Sequence, residues 1–282
     1  MGSEASPAPG CRRRLIVNAD DFGRSHSINQ AVIRAHQEGI LTTASLMVNE
    51  PACAEAVAWA KENPGLGVGL HLTLLCGHSA LPQSRIPGLV NHQNEFTSNP
   101  SGAGFRYFFN RALRWQLREE IEAQFQKFRD TGLCLDHING HLHLHLHPVV
   151  FSILAKRSDK LGPAGMRLTQ DPFWLNLKLA SGNLMYRASH ALIFNSLSAR
   201  ARPVMRRHGF KHTHRVFGLL QNARVNEDYV TRLLERLPGG DSELYSHPSL
   251  DEFEEEFAAL ISPQVSRQIK RFGIELIRYR DL

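Results

Sequence analysis

The sequence predicts an α/β fold whose parallel sheet closes into an irregular TIM-like (β/α) barrel, forming one domain. Three observations predict it. About eight short runs read as strands, and each but the last is followed by helical pattern or a long segment. No G-x-G-x-x-G follows the first strand and no Walker A motif occurs, so an open nucleotide-binding sheet loses its best support. Polar, titratable clusters fall where several strands end, which is where barrels carry their chemistry.

The elements follow in order. Met1 to Cys11 is small, polar and Pro-bearing and reads as a disordered leader, leaving residues 12–282 for the barrel. Leu15-Ile16-Val17 is a β-branched run, bounded by Asn18-Ala19-Asp20-Asp21-Phe22-Gly23, and predicts a buried strand. Ser27 with Gln30 fits a capping box, and Ile28, Ala31, Val32 and Ala35 share the face of a helix that stops at Gly39. The unit then repeats: a strand over Ala44–Val48, a helix from Pro51 to about Asn63, and an alternating strand from Leu66 that ends near His71. Cys76 to about Gly104 has no periodicity and is rich in turn residues, so it reads as a long functional insertion. Trp115–Thr131 is a helix with Leu117, Ile121, Phe125 and Phe128 on one face, and Gly132 closes it. A strand over Leu133–Ile138 and a helix over Pro148–Leu161 come next. Met166–Thr169, Val216–Leu220, Glu243–Tyr245 and Ile274–Ile277 read as further strands, with helices over Asn226–Leu237, Leu250–Leu260 and Pro263–Phe272.

Composition narrows the function classes. A hydrophobic share of 42% over 282 residues is enough for a sizeable core. No apolar run approaches the roughly 18 residues of a membrane span, and no apolar stretch follows the start as a secretory signal would. The four cysteines are far apart and form no C-x-x-C pair, which argues for a reducing, cytoplasmic-type compartment rather than a disulfide framework. Lys and Arg exceed Asp and Glu by 33 to 27, a net charge of +6. The 15 histidines are the unusual count, and their placement carries the chemistry.

Four constellations matter. Asp20 and Asp21 leave the first strand pointing in different directions. Either they form a polar turn with a helix cap, or one binds a cation while the other stays free as a base. His71 closes the third strand pattern as a core histidine or a ligand. His137, His141, His143, His145 and His147 place five histidines in eleven residues between a strand and a helix. Strict alternation would put the last four on one face of an extended segment, and the interleaved leucines argue against a merely solvated tract. Glu243-Leu244-Tyr245-Ser246-His247-Pro248 ends a late strand with a histidine placed for proton transfer or for structure.

In this order the four elements resemble the YdjC-like carbohydrate deacetylases, the chitooligosaccharide deacetylase family. The likeness rests on Leu15–Gly23, Thr42–Asn49, Gly69-Leu70-His71, Gly140–His145, His247-Pro248 and Ile274–Asp281, and spans about Arg13 to Leu282. It implies a barrel of the glycoside hydrolase/deacetylase type that removes acetyl groups from N-acetylated, chitooligosaccharide-like sugars. It further implies Asp21, His71 and His141 as metal ligands, Asp20 as base and His247 as general acid, with His143, His145 and Asn139 backing the metal site. The family implies magnesium, whereas two histidines and a carboxylate are donors that zinc or another transition metal favours. Two departures stand out: Asn139 occupies a position where relatives often carry aspartate, and the stretch after His247 is short. The aspartate's absence would weaken support for the histidines.

Other readings are open to test. A phosphoesterase or amidohydrolase barrel also gathers His and Asp at strand ends, although its H-x-H usually leaves the first strand. Between Arg187 and Arg224 eight Lys or Arg occur with no Asp or Glu, a stretch able to engage phosphates, yet an acidic segment follows it. Met1-Gly2-Ser3-Glu4-Ala5-Ser6 fits the permissive myristoylation pattern. Trp115, Trp174 and Phe173 are candidates for stacking on sugar rings, and Trp59 for core packing. The expected partners are therefore an N-acetylated oligosaccharide and a second copy in a homodimer, with no nucleic acid and no integral membrane association.

Overall fold

β1 (Arg13–Phe22) is the hub of the molecule, buried on both faces from Leu15 onward. In the computed structural model, which describes residues 12–158, 165–180, 182–221 and 224–282, eight parallel strands form one sheet. They are β1, β2 (Thr43–Leu46), β3 (Gly67–Leu72), β4 (Leu135–Gly140), β5 (Gly165–Met166), β6 (Arg215–Phe217), β7 (Gly240–Ser246) and β8 (Glu275–Leu276). Their order is β5-β4-β3-β2-β1-β7-β6, and β8 pairs with the start of β1 at Arg14 and Leu15. β2 takes the same edge of β1 further along, from Asn18. The two ends of the sheet meet through single main-chain bonds, Met166 N–H to Lys211 O and Val216 N–H to Gln170 O. The sheet is thus an irregular TIM-like barrel, closed by isolated bonds instead of a full ladder.

Helices cover the outside: α1 (His26–Glu38), α2 (Cys53–Glu62), α3 (Pro100–Phe109), α4 (Leu113–Asp130), α5 (Pro148–Ala155), α6 (Phe173–Leu179), α7 (Leu184–Arg207), α8 (Glu227–Arg236), α9 (Glu254–Ile261) and α10 (Pro263–Arg271). The predicted inner faces are the observed ones. Ile28, Ala31, Val32 and Ala35 of α1 and Leu117, Ile121, Phe125 and Phe128 of α4 are all buried in one continuous core. Burying each of the valine, leucine, isoleucine and phenylalanine side chains among them contributes roughly 1.5–3 kcal/mol, which is why these helices lie flat on the sheet.

Several expectations are corrected. The N-cap of α1 is Ser25, whose hydroxyl accepts from Ile28 N; Ser27 instead accepts from Leu250 N and ties α1 to the late chain. Val216–Leu220 is a strand only to Phe217 and then a 3-10 turn over Leu219–Gln221. The insertion after β3 is ordered: Glu120, buried on α4, accepts from the main-chain N–H groups of Ala80 and Leu81 at 2.7 and 3.0 Å. It ends in α3, whose first turns fall where the sequence predicts loop. The leader, including the myristoylation pattern and Cys11, and the end of the helix expected to Leu161 lie outside the described residues. Among the described residues Cys53, Cys76 and Cys134 are free, and no helix is long and apolar enough to cross a membrane.

Candidate active site

The barrel interior is polar where strands of this kind are usually aliphatic. Asn18, on β1, donates to Asp20 Oδ1 (2.8 Å) and to Ser45 Oγ (3.0 Å), and Thr43 donates to Asn18 Oδ1. Nearly every one of these buried groups has a partner, as burial demands. This hydrogen-bonded floor positions the groups at the C-terminal rim.

β1 ends in a break that separates its two aspartates. Pairing with β2 shifts register between Ala19 and Phe22, and Asp21 sits in the left-handed region at φ 64°. Gly23 follows at φ 93°, a conformation open to glycine, with its N–H donating to Asn29 Oδ1 at 2.8 Å. Left-handed backbone at Asp21 costs on the order of 1 kcal/mol, and a strand-end aspartate held there is a feature of functional sites. The result is that Asp20 faces the barrel interior and Asp21 faces the rim.

At the rim Asp21 Oδ1 is 3.2 Å from His71 Nε2 and 3.0 Å from His141 Nδ1. All three side chains are buried, and their donor atoms lie within 4.8 Å of one another. Burial works to raise the proton affinity of Asp21, but His141 and then His71 outweigh it and hold the carboxyl well below its usual range. His71 Nδ1 donates to Asn139 Oδ1 at 2.7 Å, which fixes the tautomer and leaves a lone pair on Nε2. One carboxylate oxygen and two imidazole nitrogens converging in this way fit a divalent cation: the donors are of ligand type, oriented from behind, and close enough to share one ion.

Asp20 has a different environment. Both its oxygens accept from Arg167, Oδ2 from one terminal nitrogen at 2.7 Å and Oδ1 from the other at 3.0 Å. Oδ1 also accepts from Asn139 Nδ2 at 3.1 Å. Burial alone would raise its proton affinity, yet the charge of Arg167 and then of His71 carries it far below the ordinary carboxylate range. Oδ2 keeps an unused lone pair. Arg167 is fully buried and is shared with Glu243 Oε1 at 2.7 Å, while Tyr279 donates to the other Glu243 oxygen. Its guanidinium also lies over the Tyr245 ring at 4.3 Å.

His247 follows β7, the strand paired with β1 through Ala19 and Ser246, and is partly exposed beside Tyr245 and Phe253. Its main-chain N–H donates to Glu256 Oε2, and its Nδ1 is 3.7 Å from the same oxygen. Burial lowers its proton affinity, but the Glu256 bond and the charges of Asp21, Glu256 and Asp20 raise it to about 9.

The His-rich run does not stay extended. After Gly140 the chain turns tightly over His141–Leu146, with Leu142 at φ 50° and His143 at φ 58°. Only His141 meets the aspartate. His143 Nε2 pairs with the Tyr245 hydroxyl (2.9 Å), His145 Nε2 donates to the Arg167 carbonyl (3.0 Å), and His147 Nε2 donates to the Gly104 carbonyl (3.1 Å). Burial holds His143 well below its usual range and His145 at about 3, so both are neutral. The expected single histidine face is therefore wrong, because four buried or partly buried imidazoles each find a different partner and Pro148 opens a helix at once. His143 and His145 make these bonds rather than bonds to the three rim donors. Asn139 does touch His71, and as an amide it also donates to Asp20, which an aspartate could do only when protonated. Arg167, Glu243 and Glu256 went unrecognised in the sequence. An arginine inside a short apolar strand pattern and an acid opening the final histidine motif were the available signals. Of the aromatics, Trp174 and Trp115 are exposed, and Trp59 packs partly buried against the core.

A carbohydrate deacetylase of Geobacillus stearothermophilus is 29% identical over 282 residues, covering 95% of this chain and 98% of that protein. A chitooligosaccharide deacetylase of Proteus mirabilis is 37% identical over 148 residues, about half of each chain: 50% here and 54% there. A solved Enterococcus faecalis V583 protein, described provisionally as a cellobiose-phosphate cleavage protein, shares the fold at TM-score 0.74 and 22% identity, covering 96% of this chain and 98% of that one. The family model for YdjC-like proteins matches residues 14–271, and the chain belongs to that family.

Proposed function

We propose that this chain is a divalent-metal-dependent deacetylase that hydrolyses N-acetyl groups on carbohydrates of the chitooligosaccharide type, releasing acetate and an amino sugar. The observation that carries the reading is the separation of Asp20 from Asp21: one carboxylate converges with two histidines while its neighbour stays out of that group. Relatives named carbohydrate deacetylase and chitooligosaccharide deacetylase support the substrate class.

Asp21, His71 and His141 are the residues that hold the cation. The chemistry a divalent cation supplies in such a place is Lewis acidity toward an acyl carbonyl and a lowered pKa for water. Asp20, ionised across the working range, accepts a proton from water at Oδ2, the oxygen that takes one bond, from Arg167, and has a lone pair to spare. Arg167 holds that carboxylate in place and, by stabilising its charge, trades basicity for a fixed geometry. His247, kept protonated by Glu256, gives a proton to the departing amine, which leaves far more readily neutral than as an anion. Two imidazoles and one carboxylate are a set that zinc or another transition metal favours, and magnesium is the cation that the family resemblance implies. A homodimer and a reducing compartment belong to the same reading. The test is acetate release from N-acetylglucosamine oligomers by chelator-treated protein supplied with Mg²⁺, Zn²⁺ or Co²⁺. Metal-restored release supports the function, and its absence with all three rejects it.

A further inference from the structure

The basic stretch from Arg187 to Arg224 has no part in the reaction, and the fold sorts its charges into two groups. Arg187 turns inward and donates to the carbonyl oxygens of Asn176 and Ala180 and to Asn176 Oδ1. Three of the other arginines converge with two histidines. Arg202 and Arg206 from α7, with His212, His214 and Arg215 from the segment leading into β6, line a cavity of about 410 Å³ at the seam where the sheet closes. Gln170 and Asn195 add neutral polar groups. None of Asp20, Asp21, His71, His141 and His247 reaches this cavity.

The three arginines make no ion pair with a carboxylate among the described residues. Arg202 donates to the Gln170 amide oxygen, and Arg215 donates to the Gly239 carbonyl at 3.2 Å, so both keep their charge for another partner. The proton affinity of His212 is lowered by burial and then by Arg202, Arg206 and His214, the mark of like charges crowded together. Two acids border the group. Asp171 is buried, accepts from Leu220 N and Asn176 Nδ2, and is pushed by burial up to about 7. Asp241 is 4.0 Å from His214 but is held by Arg14 at 2.6 Å. A polyanion needs its cations spread along a groove or ridge, whereas these surround a concavity in the volume range of small-molecule sites, about 300–1,000 Å³. Guanidinium forks match phosphate oxygens two at a time.

We propose that this seam cavity is a binding site for phosphate, either the free ion or the phosphomonoester of a sugar-sized molecule, separate from the metal triad. Isothermal titration of full-length, chelator-treated protein with inorganic phosphate, and in parallel with glucosamine 6-phosphate, at fixed ionic strength tests it. Saturable binding is expected, weakened about tenfold or more in Arg206→Gln, lost in the Arg202→Gln/Arg206→Gln double variant, and unchanged in Asp21→Asn. Arg206 is exposed, so its single variant keeps the fold, which thermal melting verifies. Tighter binding of glucosamine 6-phosphate identifies an esterified ligand, and equal binding identifies the free ion. Lack of saturation at concentrations on the order of 10 mM, binding that survives both arginine changes, or loss of binding in Asp21→Asn overturns the site. Retention of duplex DNA without any response to phosphate overturns it in favour of a polyanion.

Discussion

His71 Nδ1 donates to Asn139 Oδ1 across 2.7 Å, and through the same amide His71 is joined to Asp20. The amide is fully used: its oxygen accepts from His71, and its two hydrogens go to Asp20 Oδ1 and Ser45 Oγ. In the proposed mechanism it therefore orients one cation ligand, His71, and the base, Asp20.

Asn139→Ala removes both contacts and frees the His71 ring. Metal affinity is expected to fall about 10- to 100-fold, read by competition with a fluorescent chelator. Asn139→Asp keeps an acceptor for His71 and is expected to hold metal near the parent affinity. Equal weakening in both variants would show that the His71 contact does not set affinity.

The pH profile depends on His247. Its proton affinity is raised to about 9, so the acid form prevails at neutral pH and is lost as pH rises through that value. The alkaline limb of kcat is expected there. Glu256→Gln removes a charge that favours the imidazolium, so the limb moves to lower pH, measured on a soluble N-acetylated oligomer. A limb that stays in place excludes His247 as the proton donor.

Arg167 sits between two buried carboxylates, Asp20 and Glu243, and has no solvent exposure. Arg167→Met leaves both acids without their cation, a loss expected to cost about 3–5 kcal/mol in urea unfolding. Arg167→Lys restores charge without the two-pronged geometry, so stability recovers in part while kcat stays low. Full recovery of kcat by lysine would contradict a positioning role.

What the sequence made legible was whatever repeats or clusters. The inner faces of α1 and α4 repeat at helical spacing, and both were readable. The aspartate pair, His71 and His141 stood out at strand ends, but the first two kept a structural alternative, and it was the family resemblance that gave each a role. α7 was not readable. Its buried positions are Arg187, Ala191, Ser198, Ala201 and Met205, while Leu184, Met185, Leu192 and Ile193 are exposed, an inversion of the usual stripe. The path of the chain after Gly140 was hidden for another reason: two consecutive left-handed residues, Leu142 and His143, are imposed by tertiary partners and leave no local signal. Arg167 was missed because a buried arginine makes sense only once Asp20 and Glu243, distant in sequence, are seen to flank it.

The most direct measurement compares Asp20→Asn with Asp21→Asn, reading metal content and acetate release on the same preparations, with folding checked by circular dichroism. Asp20→Asn is expected to retain one equivalent of metal and lose turnover by about 10²–10⁴-fold, and Asp21→Asn to lose the metal itself. Metal lost from Asp20→Asn and kept by Asp21→Asn would contradict the division of roles between the two carboxylates.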